Sequence, residues 1–202
     1  MSDIKNEVKI TYSRKVYLTE SGITAAEFLK RHDELKVANP VAAVINGHMT
    51  RLTKAIKVDA VLDFVPLASP QGQRIYETSI AFLFLATFKK LYPNVKVFIQ
   101  HSLSNGLYCE PKDFQLTDGD VARVQAYMEK LVREERDIGR ERKDWDEATS
   151  MFMSRGRLDM IDLLRYYPPQ PFKVYQLDGY EENFYLPLVE NTKTLKQFKL
   201  MK

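Results

Sequence analysis

His101 and Cys109 are the two residues whose types and spacing best fit nucleophilic catalysis. They flank a predicted turn, where a thiolate could attack a substrate while the imidazole accepts a proton. The other interpretation is structural, because a lone buried cysteine usually behaves as a small apolar residue. We favour the structural interpretation and expect no catalytic residue in this chain.

Common enzyme signatures are absent from the sequence. It contains no G-x-x-x-x-G-K-[ST] phosphate loop, no H-E-x-x-H, no C-x-x-C and no G-x-S-x-G. One cysteine and three histidines are too few soft ligands for a closed zinc site, so we expect no metal. The formal net charge of +3 predicts no strong electrostatic field around the protein, although an uneven distribution of the charged residues would allow an RNA-facing basic patch.

A charged tract, "REERDIGRERKDW", occupies residues 133–145. Alternating signs are typical of a solvated helix face with ion pairs one turn apart, and we favour that interpretation over an RNA-contacting patch.

Composition predicts a soluble globular chain, with 45% hydrophobic and 28% charged residues among 202. The longest apolar run, Ile80 to Phe88, is about half the length that a membrane helix requires. The first residues lack the apolar core of a signal peptide. We therefore expect a cytoplasmic protein with no membrane partner.

The first region, up to Pro66, predicts a small sheet that holds one helix. "VKITYS" and "KVYLT" alternate as a hairpin, and Thr24 with Glu27 forms a capping box before a helix. Asn46-Gly47 between two apolar runs is the pattern of a type I′ turn. Hairpin, helix, hairpin and final strand predict a β-grasp arrangement.

The second region predicts longer elements. They are a helix over 71–91, a hairpin over 95–110, a helix over 118–134 capped by Thr117, a helix over 144–154, and strands around Gly179. The order indicates an α+β region with helices covering one face of an antiparallel sheet.

Both regions resemble known modules. "GITAAEFL", "VAAVINGHMTRLTKAIKVDAVLDFV" and "SPQG" are similar to the TGS domain, a β-grasp module. The rest of the chain resembles the editing domain that follows the TGS domain in threonyl-tRNA synthetases. The similar stretches, in the same order, are "LATFKKLYP", "NGLYCE", "LTDGDVARVQAYMEKLV", "EATSMFMSRG" and "TKTLKQFKL". The resemblance implies a TGS-like domain over residues 1–67 and a degenerate editing-like domain over residues 68–202.

Editing domains of this family carry polar residues that hydrolyse mischarged tRNA. Counting from the shared motifs, their positions here are apolar: Phe82, Ala86, Met160, Phe184 and Leu188. Such side chains can neither transfer protons nor polarise an ester carbonyl. The resemblance thus implies a filled core without deacylase activity, although an apolar cleft that holds a small-molecule ligand is an alternative.

A further resemblance concerns residues 74–110. This stretch is similar to the N-terminal half of bacterial nucleoside kinases of the uridine kinase and phosphoribulokinase type. It implies a downstream P-loop kinase domain, acting as a partner in cis and using ATP and Mg²⁺, while this chain itself needs no cofactor. Candidate binding residues lie at the predicted hairpin turn: His101, Ser102, Asn105, Tyr108 and Cys109. A plain turn is the alternative.

Three functions remain open on the sequence. The favoured one is a non-catalytic accessory region of a nucleoside kinase that binds RNA, a ligand or the kinase domain. The alternatives are an aminoacyl-tRNA deacylase and a stand-alone RNA-binding adaptor.

Overall fold

The structure, a computed structural model, describes residues 7–103, 106–154, 156, 158–164, 166 and 172–202. It is mixed α and β with mainly antiparallel sheets, which confirms the predicted α+β class. Across the described residues, no helix combines the length and apolarity that membrane crossing requires.

The first sheet has five strands in the order β2-β1-β5-β3-β4. β1 and β5 are parallel, and the other neighbours are antiparallel. The strands are β1 Glu7–Tyr12, β2 Lys15–Glu20, β3 Pro40–Ile45, β4 His48–Thr50 and β5 Ala60–Pro66. This order, with one helix on a face, is the β-grasp arrangement that the sequence predicted.

Local sequence signals place the helix and turn of this sheet. Thr24 and Glu27 form a reciprocal capping box at the start of α1, Ala25–Arg31. Asn46 and Gly47 both have positive φ, as the type I′ turn between β3 and β4 requires. Phe28 of α1 is fully buried in the core of this sheet.

α2, Pro70–Leu91, covers the opposite face of the same sheet. Ser69 caps it and Pro70 occupies its first turn. Val65 shares a core cluster with the buried residues of α2. The contact is close at Gly72, where a Cβ atom would lie 2.1 Å from the Pro66 carbonyl oxygen. The two predicted regions therefore share packed surface, and the boundary between residues 67 and 68 stays a prediction.

A two-stranded hairpin and a second long helix follow α2. The hairpin consists of β6, Val97–Leu103, and β7, Gly106–Pro111. α3, Asp118–Arg133, begins with a capping box between Thr117 and Asp120. The Asp120 carboxylate also accepts a 2.7 Å hydrogen bond from the Tyr92 hydroxyl just after α2, which joins the two helix ends.

The last sheet has three antiparallel strands in the order β10-β9-β8. They are β8 Gly139–Lys143, β9 Phe172–Leu177 and β10 Tyr180–Asn183, with α4 Trp145–Ser154 and α5 Leu158–Leu164 between β8 and β9. On β9, Tyr175 joins the α2 core and Val174 joins the α4 core. Since neighbouring strand residues point to opposite faces, helices cover both faces of this sheet, not one as predicted.

Residues 195–202 form a C-terminal segment without helix or strand that lies against α2 and α3. The Tyr76 hydroxyl donates to the Gln197 carbonyl and accepts from the Gln197 N–H. The Gln125 amide oxygen accepts from the Leu200 N–H at 2.9 Å. Phe198 and Leu200 are partly buried against the core, so this C-terminal segment is held by both apolar contacts and main-chain hydrogen bonds.

Candidate functional site

Phe82 lies at the centre of the region that the resemblance assigns to hydrolysis. It is fully buried on α2, one turn before the buried Ala86. Its ring centroid lies 5.8 Å from that of Phe184 at an interplanar angle of 86°, and 5.8 Å from that of Tyr180. These are the separations of edge-packed aromatic rings, so the position is occupied by core.

The segment after β10 closes the site from the other side. Leu188 is fully buried in the same cluster as Phe82 and Ala86, and Phe184 packs against that cluster. The next residue, Val189, donates its N–H to the buried Ser79 hydroxyl of α2 at 3.0 Å. Ser79 in turn donates to the Ile75 carbonyl, so this polar pair is internally satisfied.

Tyr175 brings a titratable group to the edge of this cluster. Its side chain is fully buried, and burial raises the pKa of the Tyr175 hydroxyl, while the nearby Arg140 guanidinium opposes the rise. The hydroxyl donates to the Leu186 carbonyl at 3.3 Å. A neutral phenol engaged in this way is a poor general base near pH 7.

Met160 is separated from the other four positions. It is partly buried on α5, in the cluster that includes Phe152 and Val174. Because Val174 and Tyr175 point to opposite faces of β9, this cluster and that of Phe82 lie on opposite sides of the three-stranded sheet. The structure thus brings together four of the five positions and leaves Met160 apart.

The hairpin of β6 and β7 holds the candidate binding residues. In the register, Tyr108 pairs with His101, and Cys109 pairs with Ile99. Ser102 lies on β6 opposite Leu107, and Asn105 lies outside the described residues.

Cys109 does not have the environment of a nucleophile. The thiol is half-buried and packs against the core. Burial raises the pKa of the Cys109 thiol, so the thiolate is disfavoured at neutral pH. The geometry agrees with the structural interpretation of this cysteine.

Arg51 is a buried charged residue that sequence reasoning missed. Its side chain is 8% exposed, and its Nε lies 3.9 Å from the Glu190 carboxylate. Glu190 also accepts a 2.7 Å hydrogen bond from the Thr53 N–H. Burial lowers the pKa of Arg51, and the charge of Glu190 opposes that change. No local motif marks this pair, because Arg51 and Glu190 are far apart in the sequence.

Within the part of the chain that the structure describes, no three His, Cys, Asp or Glu side chains form a group that could hold a metal ion.

Comparison with known proteins found no matching family model. Among curated proteins, the chain is 27% identical over 186 residues to the threonine–tRNA ligase of Thermotoga maritima, covering 90% of this chain and 28% of the ligase. The ligase of Nitratidesulfovibrio vulgaris is 26% identical over 198 residues, which cover 96% of this chain and 31% of that protein. The ligase of Alkalilimnicola ehrlichii is 29% identical over 167 residues.

These relatives support the synthetase resemblance and give no support to the expected uridine kinase context. The chain spans less than a third of the length of the ligases that it matches. Over about nine-tenths of its own length, this chain is similar to threonine–tRNA ligases.

Proposed function

We propose that this chain is a tRNA-binding region without deacylase activity of its own. The observation that carries the proposal is the packing of Phe82, Phe184 and Leu188 into one core cluster, where the resemblance places the residues that hydrolyse mischarged tRNA. Hydrolysis of an aminoacyl ester needs a group that activates water or stabilises the developing negative charge. The apolar side chains of Phe82, Phe184 and Leu188 supply neither.

The RNA-binding half of the proposal depends on the relatives and on charge. The matched proteins are named as ligases of tRNA, and the similarity covers 90–96% of the chain. The chain carries 30 Lys and Arg against 27 Asp and Glu, so its attraction to RNA depends on local basic surface more than on net charge.

Hydrolysis and binding are tested side by side with the same RNA. The full chain is incubated with mischarged threonine tRNA, and loss of the ester is compared with the rate in buffer. Binding of the uncharged tRNA is measured by fluorescence anisotropy between about 50 and 200 mM salt. We expect hydrolysis at the buffer rate together with binding that weakens as salt increases. Ester loss faster than in buffer would instead identify a working deacylase.

A second proposal, the accessory region of a nucleoside kinase, has only the resemblance of residues 74–110 in its favour. It requires a P-loop kinase domain, with ATP and Mg²⁺ as its cofactors, encoded after Lys202. Reading the coding sequence downstream tests it directly. A G-x-x-x-x-G-K-[ST] motif after a predicted strand would support the proposal, and its absence would exclude it.

A further inference from the structure

The hairpin of β6 and β7 has one face on the core and one face in solvent. Val97 and Cys109 pack against the central core, so alternate residues of both strands point away from it. Phe98 and Tyr108 belong to this second set, and both side chains are 45% exposed. We call the solvent face that they share the outer hairpin face.

Phe98 and Tyr108 are two partly exposed aromatic side chains on one face of a narrow hairpin. Phe98 pairs with Glu110, and Tyr108 is two residues before Glu110, which makes the two rings diagonal neighbours. Large apolar side chains are normally buried, and neighbouring exposed ones commonly mark an interaction site. Flat rings are the surfaces on which unpaired nucleobases stack.

Lysines lie at the base of the same hairpin. The Lys112 N–H donates to the Lys96 carbonyl at 2.7 Å, which sets the two residues opposite each other beyond the last strand pair. Both lysines are exposed. A lysine pair adjacent to aromatic rings complements a ligand that combines phosphates with planar bases.

Two further polar groups of the outer hairpin face, those of Gln100 and Glu110, fit base edges. Gln100 is the extra residue of a bulge in β6, and its amide donates to the Glu110 carboxylate at 2.9 Å. An amide and a carboxylate held together present both donors and acceptors, as base edges do. The pairing also orients Glu110, the carboxylate opposite Phe98.

The exposed aromatic rings of the outer hairpin face favour single-stranded over double-stranded RNA as a ligand. In a duplex the base faces are stacked on each other, and proteins contact mainly phosphates and 2′-hydroxyl groups. Aromatic side chains stack on bases only where the strand is open.

We propose that the outer hairpin face binds a short single-stranded RNA segment, with Phe98 and Tyr108 stacking on bases and Lys96 and Lys112 contacting phosphates. This inference rests on the proposed tRNA binding and assigns a place for it that is separate from the filled cluster around Phe82.

The test uses the full chain with a labelled single-stranded RNA of about 12 nucleotides and with whole threonine tRNA. We expect Phe98→Ala and Tyr108→Ala each to weaken binding of the single strand roughly 5- to 100-fold, the loss that one stacked base represents. Tyr108→Trp keeps a stacking surface and should bind like the wild type. Leu18→Ala, at a 66% exposed site on β2, is the control for loss of exposed apolar surface.

The lysines have a separate readout. Lys96→Ala and Lys112→Ala should each lower the salt dependence of log K by about 0.7, the value for one phosphate contact with a single strand. Lys15→Ala on β2 is the charge-matched control and should leave the slope unchanged. Thermal unfolding of each variant establishes that the fold is intact.

Three outcomes would contradict the proposal, and they are distinguishable. If the wild type binds tRNA while Phe98→Ala and Tyr108→Ala bind the single strand as the wild type does, the outer hairpin face is excluded and the proposed tRNA binding stands. If the wild type binds neither RNA, both proposals are wrong. A change in sedimentation of the Phe98 and Tyr108 variants, without a change in RNA affinity, would assign the face to self-association.

Discussion

Arg51 carries a charge that is almost completely removed from solvent, and Glu190 is the carboxylate nearest to it. An ion pair of this kind contributes little relative to an apolar pair, but removing one partner leaves a buried charge uncompensated. The pair joins the loop after β4 to the segment before residue 192. It therefore contributes to the packing of the first sheet against the rest of the chain.

Glu190→Gln tests this charge, because the amide oxygen can still accept from the Thr53 N–H. We expect a loss of about 1–2 kcal/mol in the free energy of unfolding, measured by urea titration. Glu135→Gln is the control, since Glu135 is 61% exposed in its pair with Lys193 and should change stability by less than about 0.5 kcal/mol. Equal effects of the two substitutions would contradict a role for burial.

Asp120 makes the stability of the fold depend on pH in the acid range. Hydrogen bonds from the Thr117 hydroxyl, the Thr117 N–H and the Tyr92 hydroxyl lower the pKa of Asp120 from 3.8 to about 2. Since the folded-state pKa lies below the unfolded one, this contribution to stability is complete above pH 3.8 and is lost as the pH falls towards 2.

Asp120→Asn should therefore flatten the stability profile between about pH 4 and pH 2. Urea midpoints at several pH values compare it with the wild type and with Asp118→Asn, which alters the same helix turn but keeps Asp120. Parallel profiles for the wild type and Asp120→Asn would show that the carboxylate has no such role.

At the scale of elements, α2 supplies more of the large buried side chains of the cluster around Phe82 than any other element, including all of its buried Phe rings. Phe82, Leu83 and Phe88 are all fully buried, on a helix that is apolar around most of its circumference. The sequence predicts this helix over 71–91, which agrees to within one residue with the observed limits of α2. Only the resemblance, and not periodicity, relates Phe82 to a hydrolytic position.

Phe82→Ala should lower the free energy of unfolding by about 3–5 kcal/mol, because it leaves a cavity in packed core. Tyr185→Ala removes an aromatic ring that is 94% exposed, so it should change stability by no more than about 0.5 kcal/mol. Chemical denaturation measures both. A small effect of Phe82→Ala would mean that the site is an open cleft rather than filled core.

β8 shows why part of the fold could not be predicted from sequence. Charged residues with alternating signs indicate a helix over 133–145, yet α3 ends at Arg133 and Gly139–Lys143 forms a strand. Five residue pairs with β9 stabilise that strand, and such tertiary pairing overrides a weak local preference. α5 was also missed, and with it the position of Met160 beyond the sheet.

At the scale of the whole molecule, Gly72 sets how closely α2 approaches the first sheet. A Cβ atom there would meet backbone atoms of Pro66 and Leu67 at 2.1–2.9 Å. Backbone at both sides of the contact leaves no flexible side chain to move aside. Glycine is therefore required for the spacing between the sheet and the helix.

Gly72→Ala should lower the free energy of unfolding by at least about 1–3 kcal/mol, because the sheet and helix must separate. Gly119→Ala is the matched control near the start of α3, where the new Cβ atom would have only an ordinary 3.7 Å contact. Its effect should be neutral or stabilising by up to about 1 kcal/mol. In thermal unfolding, a lower midpoint for Gly72→Ala together with an unchanged or higher midpoint for Gly119→Ala indicates that the Gly72 contact is tight.

The C-terminal segment is attached to the molecule by main-chain hydrogen bonds as well as by the apolar contacts of Phe198 and Leu200, and the hydrogen bonds restrict which substitutions it can accept. Tyr76 and Gln125 recognise N–H and carbonyl groups, so most side chains at exposed positions of the segment can drift without loss of attachment. Proline is the exception, because it has no N–H to donate. Gln197→Pro and Leu200→Pro should release the segment and expose it to proteolysis, whereas Lys199→Pro should be tolerated. Homologous chains that keep this attachment should accordingly admit proline at position 199 and avoid it at 197 and 200.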